Sequence, residues 1–227
     1  MQKLLLILFL LLPVQIMAQG TVRLFGFFPE FQVGFKATEK LKIIGKIESQ
    51  HGMAEKFEGK DLDVGYFHNL TDFQGFLGTK VNPFIDIAAG YQYRVDSRGD
   101  NSHRTIQQIS ILQLPRNYKI GHRVRFDQTY SPFEKNDYRV RYRISFEIPI
   151  EGKSLDPGEF YLVFSDEVLY SYQARVSGLE NRAVASLGHL SKGSQKFQAG
   201  IDYRTDRFFD PDLRHRTWFK FGWYLNF

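Results

Sequence analysis

The sequence contains no cysteine. That excludes disulfides, thiolate metal sites, a cysteine nucleophile and the lipidated cysteine of a lipoprotein, so the mature chain must be held by packing or by lipid. Long apolar runs are also missing beyond the first dozen residues, and nothing later approaches the roughly 20 residues that a membrane-crossing helix needs. No glycine-rich phosphate loop is present, and no histidine pair has metal-ligand spacing with a carboxylate beside it. No linker or low-complexity tract divides the chain. No cofactor and no metal are therefore expected, and a single domain is.

The one apolar run lies at the start. Lys3 precedes Leu4 to Leu12, and Pro13 then leads to the small-residue stretch ending Met17-Ala18-Gln19. This is the pattern of a secretory signal peptide, here residues 1–18, cleaved before Gln19. The mature domain is then 19–227. Lys plus Arg number 30 against 25 Asp plus Glu, a basic balance that in a cytoplasmic protein would suggest nucleic acid. Export argues against that partner.

Aromatic residues are abundant, with 22 Phe and 12 Tyr, yet the mean hydropathy is slightly negative. Apolar side chains must therefore be interleaved with polar ones. In Asp137 to Pro149, Tyr138, Val140, Tyr142, Ile144, Phe146 and Ile148 alternate with Arg139, Arg141, Arg143, Ser145 and Glu147. A period of two over a dozen residues is a strand and not a helix face. Its length is about twice that of an ordinary soluble strand, and long two-faced strands are the form that crosses a membrane.

The pattern recurs at Phe31 to Ala37, Leu41 to Ser49, Ile85 to Val95, Tyr118 to Asp127, Phe197 to Tyr203 and Phe219 to Phe227. It is less clean near Phe73 to Val81, His103 to Leu114, Phe160 to Tyr170 and Arg182 to His189, and Asp166 and Glu167 cannot both face one side without a bulge. Adding a first strand at Gly20 to Phe28 starts and ends the chain on one side of the membrane. The expectation is an all-β, transmembrane, antiparallel up-and-down barrel of about twelve strands, or ten if Gly20 to Phe28 and Asp61 to His68 do not pair. Short connections such as Asn82-Pro83 and Pro115-Arg116-Asn117 are expected on one side, and longer ones such as Asp96 to Ser102, Ser131 to Asn136 and Asp206 to Asp212 on the other.

Phe219, Phe221, Trp223, Leu225 and Phe227 share one face of a final strand that ends with the chain. This resembles the signal by which the barrel-assembly machinery selects its substrates. An apolar edge strand in a soluble sheet would instead be an aggregation hazard. The expected place is the outer membrane of a Gram-negative bacterium, with membrane lipid and lipopolysaccharide as surroundings.

From Asn82 onward the chain also resembles a known family. The residues that carry the likeness are Asn82-Pro83-Phe84, Ala89-Gly90-Tyr91-Gln92-Tyr93-Arg94, His103-Arg104 with Gln107-Gln108, Gly121-His122-Arg123 with Asp127-Gln128, and Arg141-Tyr142-Arg143. It continues through Pro157-Gly158-Glu159-Phe160-Tyr161, Ser165-Asp166-Glu167, Glu180-Asn181-Arg182, Asp202-Tyr203-Arg204 and the closing strand. Together they are similar to the domain-of-unknown-function family DUF2490, with Gly20 to Lys80 resembling it less. The resemblance implies a barrel in the outer membrane and brings no catalytic residues.

Candidate chemistry lies on the polar face. If Ser131 to Asn136 closes an antiparallel hairpin with 127 opposite 139, then Arg125 faces Arg141 and Arg123 faces Arg143, and with Arg139 the five guanidinium groups form a ladder on the inner wall. Like charges in such a ladder repel and require neutralisation. Asp127, Glu147 and Glu167 are the expected partners, with Glu180 and Asp202 as further candidates, and a small anionic solute as the alternative. A charge-paired structural interior and an anion-preferring channel are thus both open. A lipid-modifying esterase or acyltransferase is the third reading, for which His189 with Ser186, or His215 near Ser171, are candidates without a motif.

Overall fold

The computed structural model describes residues 21–193, 195–209 and 213–227; the expected signal peptide lies outside them. The described chain is eleven strands: β1 (Thr21–Lys36), β2 (Leu41–Lys56), β3 (Asp63–Asn82), β4 (Ile85–Asp96), β5 (Ser102–Gln113), β6 (Lys119–Tyr130), β7 (Asp137–Pro149), β8 (Phe160–Gln173), β9 (Val176–Leu190), β10 (Lys196–Asp206) and β11 (Leu213–Asn226). Each pairs with its sequence neighbours, and β1 pairs with β11 to close a barrel.

The strand number corrects the expected twelve, and also the alternative of ten. Gly20 to Phe28 and Phe31 to Ala37 are not two strands but the halves of β1, which runs straight through Pro29. Proline is tolerated there because the β1–β2 ladder, in one register at Phe27↔His51 and Glu30↔Glu48, is unpaired at Pro29 between them. Asp61 to His68 and Phe73 to Val81 likewise merge into the 20-residue β3, whose slips against β2 lie at Gln50/His51 and Gly52/Ala54. Bulges absorb the irregular spacing that read as a strand break.

An odd strand count makes the closing pair parallel, with Thr21 opposite Leu213 and Gly34 opposite Asn226. The barrel is therefore not antiparallel throughout, and β1 begins at the end opposite Phe227. The connections do not segregate by length either. The two-residue turn Ala174-Arg175 lies at the end where β1 starts, and the longest connection, 150–159, lies at the Phe227 end. Ala174 and Arg175 both have positive φ, 52° and 70°, the geometry of a tight hairpin turn normally given to Asn-Gly.

Parity along each strand sorts side chains into two populations. The inner set is charged and polar, and packs around a few apolar side chains, Phe28, Phe76, Ile106, Tyr161, Leu169 and Trp218. Two of these lie flat over a glycine of the adjacent strand: a Cβ at Gly90 would fall 2.3 Å from the Phe76 ring, and one at Gly188 2.2 Å from Tyr161. The outer set is apolar and exposed, including Phe27, Phe35, Ile43, Ile47, Phe73 and Leu77. At the closing seam, Phe25 meets Phe219 edge-on at 5.1 Å, Phe31 meets Trp223 at 5.2 Å and Phe35 stacks on Phe227 at 5.4 Å.

Candidate functional site

Strands β6 and β7 pair with Asp127 opposite Arg139, Arg125 opposite Arg141 and Arg123 opposite Arg143. Asp127 is completely buried and Arg141 is 6 % exposed. Arg141 Nε lies 2.6 Å from Asp127 Oδ2, and its Nη1 lies 3.7 Å from Glu167. Arg123 Nη2 donates to Glu167 Oε2 at 2.6 Å. Arg143 stands across β7–β8 from Glu167, and Arg139 pairs with Asp137. Arg125 has a different solution: its Nη2 donates to the Gln108 amide oxygen at 2.8 Å, and its guanidinium lies 5.4 Å from the centre of the Phe76 ring.

From Glu167 the chain of charges continues around the wall. Arg182 lies 3.7 Å from Glu167 and donates to Glu180 at 2.7 Å. Arg216 joins Glu180, at 2.9 Å, to Asp206, which Arg214 grips with two 2.8 Å hydrogen bonds. Arg204 holds Asp202 in the same bidentate way beside the Phe28 ring. Glu147 stands apart from the arginines. It takes Lys119 at 3.0 Å and Lys196 at 2.5 Å, toward the Phe227 end. The expectation for Glu147 is corrected by register, which puts it opposite Lys119.

A recess of about 130 Å³ opens at the other end, lined by Arg94, Arg104, Asp137 and Arg139 among others. Arg125, Asp127 and Arg141 do not line it. Arg182, Arg204, Arg214 and Arg216 were not singled out as interior charges in the sequence, because they sit on strands whose alternation is short or interrupted; Arg182 and Arg204 take the carboxylate two residues back on their own strand, whereas Arg214 and Arg216 take theirs from other strands.

Asp166 and Glu167 separate without a bulge. Glu167 points inward and Asp166 outward, where Asn181 Nδ2 donates to its carboxylate at 2.8 Å. The enzyme pairs suggested by sequence do not form: Ser186 faces inward and His189 outward on β9, and Ser171 on β8 is separated from His215 on β11 by two strands.

The outer face carries a polar group that sequence reading missed. Ser49 Oγ is 2.9 Å from His51 Nε2 and 2.8 Å from Thr71 Oγ1, His51 Nδ1 is 3.0 Å from the Tyr66 hydroxyl, and His68 Nε2 is 2.8 Å from Thr71 Oγ1. The available signal was Ser49-Gln50-His51, an i, i+2 pair that a strand places on one face. Reading the second strand as ending at Ser49 left His51 outside it, since the bulge at Gln50/His51 interrupts the alternation. Other outward histidines pair with tyrosines: His122 with Tyr142 at 2.8 Å, His215 with Tyr203 at 2.6 Å, and His103 with Tyr91.

Residues 26–214 match the family described as protein of unknown function (DUF2490). The chain belongs to the DUF2490 family. The match begins inside β1 and ends inside β11, so it takes in most of the charged interior, the outer-face serine and histidine, and the β2–β3 region. No curated protein and no solved structure matches the chain.

Proposed function

We propose that this DUF2490 protein is a transmembrane barrel of a Gram-negative outer membrane, with an interior that is a closed, charge-paired core and not a path for anionic solutes. The inside-out distribution of side chains carries the reading. An outer surface made mostly of Phe, Ile, Leu, Val and Tyr, with most ionic side chains turned inward, would aggregate in water and is what a barrel in lipid requires. Turning the five ladder arginines toward lipid would cost roughly 2 to 4 kcal/mol each at the midplane, so the inner side is the polar one. Tyr–His pairs near the strand ends and Trp223 on the outer surface fit interfacial girdles.

Closure rests on burial. Asp127, Arg141 and Glu167 are all buried, and Arg141 reaches both carboxylates, as ions pair when water cannot reach them. The aromatic outer face of β11 serves in this reading as the signal to the barrel-assembly machinery, and lipid with lipopolysaccharide surrounds the barrel. The test has two parts. The mature protein should fractionate with outer membranes and migrate differently on gels before and after boiling; recovery in the soluble periplasm would overturn the membrane reading. Purified protein in a planar bilayer should give no stepwise conductance. Anion-selective steps would overturn closure and favour the small anion channel.

A further inference from the structure

We propose that Ser49 and His51 form an acyl-transfer site on the outer wall of the barrel, with ester-linked acyl lipid as the substrate class. The inference rests on the membrane reading above, since it needs lipid at the outer face.

Among the described residues, several outward histidines contact a tyrosine, which alone is an interfacial pair. His51 differs at its second ring nitrogen. The Nε2 atoms of His122 and His215 are buried without a hydrogen-bond partner, whereas His51 Nε2 sits 2.9 Å from a serine hydroxyl. One assignment of the protons gives these contacts a single direction: His68 Nε2–H to Thr71 Oγ1, Thr71 hydroxyl to Ser49 Oγ, Ser49 hydroxyl to His51 Nε2, and His51 Nδ1–H to Tyr66. This tautomer leaves Nε2 free to accept the serine proton, with Tyr66 holding the ring. Nucleophile, base and orienting group are thus in the order that activates a hydroxyl. A longer approach of Ser49 Oγ to the Leu70 carbonyl, 3.4 Å, competes weakly.

The wall beside Ser49 supplies a place for the acyl chain. An apolar groove of about 590 Å³ runs over the outer face, lined by Phe31, Ile47, Leu187, Phe197 and Trp223, with Ser49 among its lining residues. Pro29, where the β1–β2 ladder is unpaired, also lines it.

In the first step Ser49 Oγ attacks the ester carbonyl carbon and its proton passes to His51 Nε2. The bond from that carbon to the alcohol oxygen breaks, and His51 returns the proton to the departing alcohol, leaving an acyl ester on Ser49. Water then attacks the acyl carbon as His51 takes its proton, and Ser49 leaves with that proton, giving fatty acid and the free serine. The Thr71 hydroxyl, backed by His68, donates to Ser49 Oγ and fixes its position against His51.

The test uses the full mature barrel in mixed micelles of detergent and phosphatidylethanolamine carrying a radiolabelled acyl chain, with a fluorophosphonate as covalent probe. Expected are release of labelled fatty acid and a phosphonyl adduct on Ser49. Ser49→Ala should abolish both, His51→Asn should lower release by at least about 100-fold, the scale of a general base, and His122→Asn should leave it unchanged. The heat-dependent gel shift of each variant checks folding. No fatty acid and no Ser49 adduct from a barrel that shows the gel shift would overturn the proposal while leaving the membrane reading intact, as would equal release from Ser49→Ala.

Discussion

Asp127 gives the sharpest test of a closed interior. It is completely buried, and its ion contact with Arg141 Nε at 2.6 Å corresponds to about 6 kcal/mol of gross attraction at an effective dielectric constant of 20. Desolvation of both ions offsets part of this. Arg141 also keeps Glu167 at 3.7 Å when Asp127 is removed. The loss from Asp127→Asn should therefore sit at the low end of the range for breaking a buried pair, about 3 kcal/mol. With a urea slope of about 2 kcal/mol per molar, the unfolding midpoint should fall by about 1.5 M.

Arg141→Met should cost a similar amount. The double variant should recover more than about 1 kcal/mol of the summed losses, because it leaves no unpaired charge. Urea titration of the barrel in lipid vesicles, read by the folded and unfolded gel bands, measures all three. If each single variant lost less than about 1 kcal/mol, the pair would be behaving as a solvated, screened one, and the argument for a dry interior would be wrong.

Two further outcomes follow from the seam and the turns. Replacing both Trp223 and Phe227 with Ser, or deleting Phe227, removes rings that pack on Phe31 and Phe35 across the closing pair; cell fractionation should find these chains aggregated or degraded before insertion, and normal insertion would make the terminal aromatics ordinary lipid-facing surface. At the β8–β9 turn, A174N combined with R175G puts suitable residues at two positive-φ positions and should raise stability by about 1 to 2 kcal/mol; an unchanged or lower urea midpoint would show that the turn is not strained.

Most of what was legible in the sequence is a property of single strands. A period of two separates the faces without knowledge of any neighbour, so Arg139, Arg141 and Arg143 could be assigned to one side and Tyr138, Val140 and Tyr142 to the other before any pairing was known. One short loop, 131–136, was enough to suggest the register that places Arg125 opposite Arg141. The same logic failed at Pro29 and at Asn69 to Asp72, where a strand continues through a residue pattern that resembles a break.

What only the tertiary structure decided depends on pairing at a distance. The odd strand number and the parallel β1–β11 seam follow from how long β1 and β3 run, which local alternation did not reveal. The partners of Glu167 come from three strands, β6, β7 and β9, and no spacing along the chain encodes them. Ser49 and His51 are two residues apart, yet Tyr66, His68 and Thr71 reach them only because β3 pairs with β2 through two register slips. A bulge changes which side chains meet across a ladder without altering the composition of either strand, and for that reason the cluster became visible only once the strands were paired.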